Sequence, residues 1–396
     1  MPVGTFRYAL ILGLLSCISP LAIDMFLPAM PTIGADLGAT VAATQGTITW
    51  YFVSFGLAQM IYGPWADQSG RKLPMYVGIT VFLVGSLACA AAPSIGWLVA
   101  GRFLQGLGGA VLMVVPRAII RDMHTGPAAT RLMATLMLVI SISPFLAPLA
   151  GSALIAVWDW RAIFIVLGGA AAVSLGMTLF LLPETLHRDL RVPVNARSLW
   201  HGSKLLLSDR TFMGLTFLGG FAMASFFVFI ASAAFVYTSQ FGLSPTGFSL
   251  AFAVNALGFF GSSQFAASAG EKFGTAVVVA VATAGFACCT FILLALALAG
   301  AASLPVVIGG LFAGNAFLGL VIPSTMVMAL DDHGEIAGLA SSLGGTLQML
   351  VGGAMISLTG PFFDGTVVPM LAAIALCGLA ALILSRLVLG KRAVVA

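Results

Sequence analysis

The chain has 396 residues, of which 60% are hydrophobic and only 8% are charged, and its formal net charge is +4. Soluble domains carry about 25% charged residues, so this composition excludes a soluble globular protein. The basic residues form no block long enough for a nucleic-acid-binding arm. The five cysteines lie in apolar segments without the spacing of a metal site. We therefore expect a membrane protein with no nucleic-acid partner and no metal.

Apolar runs follow one another along the chain, and a membrane-crossing helix needs about 20 apolar residues. They predict an all-α polytopic membrane protein with twelve transmembrane helices. The spans lie at 7–29, 44–65, 74–92, 97–121, 131–156 and 161–182, then at 211–237, 246–268, 275–298, 304–329, 336–358 and 366–389. The first run is too long for a signal peptide and contains Asp24, so we expect it to be retained.

A polar segment at 183–210 divides the chain near its middle. We predict an N-terminal six-helix bundle at 1–182, a cytoplasmic linker at 183–210 and a C-terminal six-helix bundle at 211–396. Two-half transporters show weak internal symmetry. A faint repeat is present here, because the segment 63–72 after the second span shares small, acidic and Gly positions with 267–274 after the eighth.

The basic residues predict the orientation. With both termini in the cytoplasm, 14 of the 17 Lys and Arg residues lie on the cytoplasmic side, as the positive-inside rule requires. They are Arg7, Arg71, Lys72, Arg121, Arg131, Arg188, Arg191, Arg197, Lys204, Arg210, Lys272, Arg386, Lys391 and Arg392. This pattern favours a multi-pass protein of a bacterial inner membrane.

Few charges lie inside the predicted spans. Of the 13 acidic residues, Asp24 alone lies well within a predicted span, and Asp122 lies at the cytoplasmic end of the fourth span. The basic residues Arg102 and Arg117 lie within that fourth span. A charge at mid-bilayer costs about 2.5–3.5 kcal/mol on insertion scales and usually has a function. The alternative is a permanent ion pair that only fixes helix packing.

Asp24 and Arg102 are predicted at similar depth. Each lies about five residues, or about 8 Å at 1.5 Å per residue, from the outer end of its span. They would meet if the first and fourth spans were neighbours. The proton affinity of a carboxyl group depends on its hydration and on nearby cations, so a motion that changes either would load or release a proton.

Aromatic side chains are concentrated in the second and seventh spans, where they could line an apolar cavity with a few polar groups. Packing against lipid or another helix is the alternative for each aromatic residue, and helix–helix contact is the alternative for Asn255. The candidate substrate contacts are Phe26, Tyr51, Phe55, Gln59, Arg117, Phe221, Phe227 and Asn255.

The four histidines, at 124, 187, 201 and 333, all lie in predicted loops, and no Walker lysine loop is present. The sequence therefore predicts no enzyme, no cofactor and no ATP-driven pump.

Three segments resemble motifs of the major facilitator superfamily. They are the cytoplasmic loop motif Gly63…Asp67…Gly70-Arg71-Lys72, the fourth-helix motif Leu98…Arg102…Gln105-Gly106…Gly108-Gly109-Ala110 associated with proton coupling, and the fifth-helix antiporter motif Ser143-Pro144…Ala147-Pro148…Gly151-Ser152. In the third motif, Ser or Ala replaces three glycines. The segment Leu182-Pro183-Glu184-Thr185 is typical of the drug-antiporter branch.

Four longer strings are similar to the bicyclomycin/chloramphenicol-resistance (Bcr/CflA) family. They are LAIDMFLPAMP around Asp24, RAIIRD at 117–122, FGLSPTGFSLAFAVNALG at 241–258 and EIAGLASSLGGTLQ at 335–348. The resemblance implies that Asp24 is the proton-linked acid and Arg102 its neighbouring arginine.

The same resemblance implies that Asp67 and Arg71 stabilise an outward-open state. Arg71 would reach Asp122, and Asp67 would approach the start of the eleventh span near Ile336, where a helix N-terminus carries partial positive charge. Together with the prolines and Gly151 of the fifth helix, these residues form the expected conformational motifs.

We therefore expect a monomeric, proton-coupled exporter of small drug-like molecules that works by alternating access. An importer or facilitator of a small metabolite on the same fold is the alternative, because fold does not determine function. The expected partners are the drug substrate, protons and the lipid bilayer.

Overall fold

In the computed structural model, which describes residues 3–124, 126–191 and 196–392, the described chain consists of helices and the turns that join them. It forms two compact units. Unit 1 comprises Met1–Ala39 and Trp50–Ala196, and unit 2 comprises Thr40–Thr49 and Arg197–Ala396. The predicted linker at 183–210 is thus shared between the two units, and its residues 192–195 lie outside the described residues.

Unit 1 brings together the predicted first six spans. Its helices are α1 (Val3–Asp24), α2 (Met30–Asp36), α3 (Val41–Ser69, from Trp50 onward), α4 (Lys72–Ala90), α5 (Ile95–Met123), α6 (Gly126–Val157) and α7 (Arg161–Phe180). Helix α1 packs against α5 and α6, and α4 packs against α5 and α7. The first span is therefore a neighbour of the fourth.

Unit 2 contains α8 (Ala196–Ser208, from Arg197 onward), α9 (Arg210–Ser239), α10 (Pro245–Ser263), α11 (Ala266–Phe273), α12 (Thr275–Leu298), α13 (Leu304–Leu330), α14 (Ala337–Thr359) and α15 (Val367–Arg392). Helix α9 packs against α13 and α14, and α12 packs against α13 and α15. These pairs correspond, span for span, to those of unit 1. The two units therefore repeat one packing pattern.

The first turns of α3 belong to unit 2. There Gln45 donates from Nε2 to the Ala231 carbonyl at 3.3 Å and to the Ser232 hydroxyl at 3.1 Å. Both partners lie on α9. These buried polar contacts account for a unit boundary that falls inside a continuous helix, which the hydrophobic pattern of the sequence does not reveal.

Local sequence signals set several helix ends. Ser94 caps α5 by accepting a hydrogen bond from the Trp97 N–H, and Asp209 caps α9 by accepting from the N–H groups of Thr211 and Phe212. Gly70 separates α3 from α4 with a φ of +94°, a conformation that favours glycine.

Glycines also allow helices to approach closely. A Cβ atom at Gly106 would overlap the Tyr51 carbonyl of α3, and one at Gly108 would overlap the backbone of Phe82 on α4. Small residues permit such contacts between membrane helices. The fourth-helix motif thus doubles as the packing surface of α5.

By length and composition, the described residues contain nine helical segments able to cross a membrane, or ten if the pair Pro245–Ser263 and Ala266–Phe273, bent by 41°, is one span. One segment, Leu304–Phe362, has 59 residues, far more than the about 20 needed, and breaks at Asp331–Ile336 into α13 and α14. Helix α3 is not among the nine. The all-α, membrane-spanning class is confirmed, and the count of twelve stays a prediction.

Candidate functional site

Asp24 is the last residue of α1. The chain breaks after it into a turn at Leu27–Ala29 that contains Pro28, so the carboxyl group lies beside an interrupted helix. Asp24 is only 6% exposed, and its Oδ2 accepts a hydrogen bond from the Ser143 hydroxyl at 3.2 Å. Ser143 is on α6. The structure thus places the first-helix acid against the fifth-helix motif.

Gly151 allows this arrangement. A Cβ atom there would overlap the Met25 carbonyl, so only glycine lets α6 lie against the backbone next to Asp24. Pro144 and Pro148 lie inside α6 on either side of Ala147. The fifth-helix motif therefore forms one wall of the Asp24 site.

Arg102 is fully buried in α5. Its Nη1 donates to the Ala22 carbonyl at 2.9 Å and to Gln105 Oε1 at 2.8 Å. Its guanidinium carbon lies 4.7 Å from the ring centroid of Phe26 and 4.4 Å from that of Tyr51. The cation is thus held between two aromatic faces, a favourable arrangement where water is excluded.

A second layer positions Arg102. Gln105, three residues further along α5, donates from Nε2 to the Ser86 hydroxyl on α4 at 2.8 Å. That hydroxyl donates to the Phe82 carbonyl at 2.8 Å. Arg102 is therefore tied to α4 as well as to α1.

Asp24 and Arg102 do not form an ion pair. They lie on neighbouring helices and at a common depth, since Arg102 contacts the carbonyl two residues before Asp24. Yet none of the salt bridges within 4.0 Å among the described residues joins them. Nε and Nη2 of Arg102 also have no hydrogen-bond partner among the residues that the structure describes. The site holds a buried acid and a buried base that are close but uncompensated by each other.

The other unit 1 candidates divide into two groups. Phe55 stacks on Tyr51 with a centroid distance of 6.0 Å, which extends the aromatic wall next to Arg102. Gln59 is half-buried one turn further along α3. Arg117 is half-buried on α5, and its Nε has no hydrogen-bond partner within the described ranges. Gln59 and Arg117 are not brought to Asp24 by any contact that the structure shows.

In unit 2, Asn255 is fully buried on α10. It donates to the Ala251 carbonyl at 3.0 Å and accepts from Asn315 Nδ2 of α13 at 3.4 Å. This amide pair favours the helix-contact alternative for Asn255. Asn315 is not among the candidates predicted from the sequence, although an amide within the predicted span 304–329 was a usable signal.

The two phenylalanine candidates of unit 2 differ in burial. Phe227 is buried, and its ring lies where a side chain at Gly352 of α14 would stand. Phe221 is half-buried. Phe227 is therefore part of the α9–α14 packing, whereas Phe221 keeps an accessible face.

A polar cluster, the loop network, surrounds the loop between α3 and α4. It consists of Arg71 in the loop, Asp67 on α3, Asp122 on α5 and Glu184 after α7. Arg71 donates from Nε to Asp122 Oδ2 at 2.7 Å and from Nη2 to Asp122 Oδ1 at 2.9 Å. It also donates to Asp67 at 2.6 Å. Burial alone would lower the pKa of Arg71, but these two carboxylates outweigh it and raise the pKa. The contact that the resemblance implied between Arg71 and Asp122 is present.

Glu184 belongs to the segment Leu182-Pro183-Glu184-Thr185, which is typical of the drug-antiporter branch. Its carboxylate accepts from the N–H of Arg71 at 2.8 Å and of Lys72 at 3.2 Å, and so caps α4. Gly70 makes room for it, because a Cβ atom at Gly70 would lie 2.5 Å from Glu184 Oε2. At Gly63, by contrast, a Cβ atom would meet nothing within 4 Å.

The sequence model named Major Facilitator Superfamily matches residues 12–357. The chain belongs to the major facilitator superfamily. It is accordingly a multi-pass membrane transporter, and the predicted fold class is confirmed.

Within the superfamily, the chain is similar to several bacterial transporters. An uncharacterised MFS-type transporter of Bacillus subtilis, YdgK, is 34% identical and covers 93% of this chain and 92% of its own length. A bicyclomycin resistance protein homolog of Haemophilus influenzae is 28% identical, with 94% of each chain covered. A chloramphenicol resistance protein of Pseudomonas aeruginosa is 30% identical and covers 89% of this chain and 86% of its own. These names confirm the predicted likeness to drug-resistance transporters.

A solved structure supports the fold alone. The D-xylose–proton symporter superimposes with a TM-score of 0.72 at 16% identity and covers 96% of both chains.

Proposed function

We propose that this superfamily member exports small drug-like molecules of the amphenicol, bicyclomycin or multidrug type in exchange for protons. The observation that carries the proposal is the buried Asp24 carboxyl beside the caged Arg102. The names of the relatives support the substrate class.

In the proposed mechanism, Asp24 binds and releases the transported proton. Its carboxylate accepts a hydrogen bond from the Ser143 hydroxyl on α6, a helix with two internal prolines. A movement of α6 would change the hydration of Asp24, and a movement of α1 against α5 would change its separation from Arg102. Both set the proton affinity of a carboxyl group. Arg102 acts as a fixed cation, because arginine does not deprotonate in proteins.

Substrate contacts are proposed separately for the two units. In unit 1 they are Phe26, Tyr51, Phe55, Gln59 and Arg117. Tyr51 and Phe55 stack on each other, and Phe26 and Tyr51 both contact Arg102. In unit 2 they are Phe221, Phe227 and Asn255. Phe221, with its accessible face, is supported more strongly than Phe227 and Asn255, which already have helix partners.

We further propose that the loop network stabilises the outward-open state. The bidentate Arg71–Asp122 contact supports a well-defined loop. The basic residues support cytoplasmic N and C termini in a bacterial inner membrane, and a monomer is the proposed functional form.

The test is proton-driven accumulation of drug in inverted membrane vesicles, with chloramphenicol and bicyclomycin as probes. The wild type should accumulate drug inside energised vesicles, and Asp24→Asn should abolish this while its membrane insertion stays normal. Asp36→Asn, an exposed acid on α2, is the matched control and should keep full activity.

Near-normal pH-driven accumulation by Asp24→Asn would refute the proton-binding assignment. Proton-driven drug movement in the opposite direction would instead support the alternative of an importer. If the protein inserts and folds but transports neither probe, the proposed substrate class is refuted.

A further inference from the structure

Helix α8 separates the two predicted bundles and has no role in the proposed transport cycle. It contains Arg197 and Lys204, and no acidic residue occurs between Ala196 and Ser208. One face packs inward: Leu206 is fully buried, and Gly202 lies against Leu339 of α14. α8 is thus docked on unit 2 by a narrow seam.

A different stripe of α8 points away from that seam. Arg197, Trp200, Lys204 and Leu207 follow one another at spacings of three and four residues, so they share one side of the helix. All four are exposed, and the exposed fraction of Trp200 reaches 74%. This stripe alternates basic and apolar groups.

The position of α8 limits what can cover this stripe. Only Asp209 separates α8 from α9, a helix able to cross the membrane. Since consecutive Cα atoms are about 3.8 Å apart, the end of α8 lies within about 8 Å of the start of a membrane span. The end of the stripe at Leu207 is therefore held near the membrane surface, and the rest of the stripe reaches the same level if α8 lies in the plane of that surface.

We propose that α8 is an interfacial helix whose Arg197–Trp200–Lys204–Leu207 stripe binds anionic phospholipid headgroups. Tryptophan is enriched at this depth, where its ring is apolar and its N–H is wet. Basic side chains attract the negative headgroups, and such amphipathic helices lie in the plane of the interface. This inference rests on the membrane-spanning fold and does not depend on the transported substrate.

The test is hydrogen–deuterium exchange of the full-length protein in nanodiscs of phosphatidylcholine, with or without one-third phosphatidylglycerol. Each basic residue near an anionic surface raises the ratio of membrane-bound to unbound α8 about fivefold. Amides of α8 should therefore exchange up to about thirtyfold more slowly in the anionic discs. Raising the NaCl concentration to about 0.5 M should remove most of the difference, because exposed charges are screened.

The variant R197Q/K204Q should lose the lipid dependence, and Trp200→Ser should weaken protection in both kinds of disc. Lys272→Gln, which removes a basic residue of α11, is the matched control and should keep the lipid dependence. Unchanged exchange in α9 and α15 verifies that each variant is folded.

Equal exchange of α8 in both discs would overturn the proposal. So would a lipid dependence that survives R197Q/K204Q. Protection that appears only when a soluble protein fraction is added would assign the stripe to a protein partner instead.

Discussion

The loop network makes a quantitative prediction for Asp122→Asn. The side chains of Arg71 and Asp122 are 6% and 15% exposed, whereas that of Asp67 is 54% exposed. Removing one partner of a buried ion pair costs about 3–5 kcal/mol. The asparagine oxygen still accepts one hydrogen bond, so we expect the lower end, about 3 kcal/mol. Asp67→Asn breaks a largely exposed pair, which contributes about 0.2–1 kcal/mol.

Two buried cysteines provide the assay. Cys89 is fully buried on α4 of unit 1, and Cys377 is fully buried on α15 of unit 2. In a background where the three other cysteines are replaced by alanine, the rate of thiol labelling reports the opening of each unit. The replaced residues are Cys17, Cys288 and Cys289.

We expect Asp122→Asn to accelerate labelling of Cys89 about a hundredfold, because each 1.4 kcal/mol corresponds to a factor of ten. Asp67→Asn should accelerate it less than about fivefold, and labelling of Cys377 should change in neither variant. Equal effects of Asp122→Asn and Asp67→Asn would refute the argument from burial. Equal acceleration at Cys89 and Cys377 would refute the assignment of the network to unit 1.

Three further predictions follow from packing, pH and charge. Gly108→Ala should destabilise the protein by about 1–3 kcal/mol, since its Cβ would overlap the α4 backbone, whereas Gly169→Ala, with nothing within 4 Å, should be neutral or slightly stabilising in thermal unfolding. Burial alone would raise the pKa of Asp209, but hydrogen bonds from backbone N–H groups and from His333 outweigh this effect and lower the pKa. Asp209→Ala should therefore cost about 1–2 kcal/mol at neutral pH, and denaturant titrations should show this cost vanishing as the pH falls through the lowered pKa of Asp209. Since Asp24 is the only carboxyl well inside a predicted span, a neutral drug should be exported with one proton. A potential of about 150 mV would then sustain a gradient of a few hundredfold in proteoliposomes, and a measured stoichiometry of two would contradict this.

The sequence was sufficient for the properties that depend on position along a helix. Long apolar runs must form helices in lipid because backbone groups have no other partners there, so the all-α spans could be predicted. Depth also follows from sequence at about 1.5 Å per residue. This is why Asp24 and Arg102 could be placed at one level, whereas the sequence left open whether their helices are neighbours.

Only the tertiary structure decided which side chains meet. Rotation of a helix about its axis changes every partner while leaving composition and depth unchanged, so the sequence could not choose between an Asp24–Arg102 ion pair and the observed arrangement. The packing of α6 brings Ser143 to Asp24, and the packing of α3 brings Tyr51 over Arg102. In the same way, the approach of α13 to α10 gives Asn255 its partner. The sequence determined which groups are buried at which depth, and the helix packing determined how they are compensated.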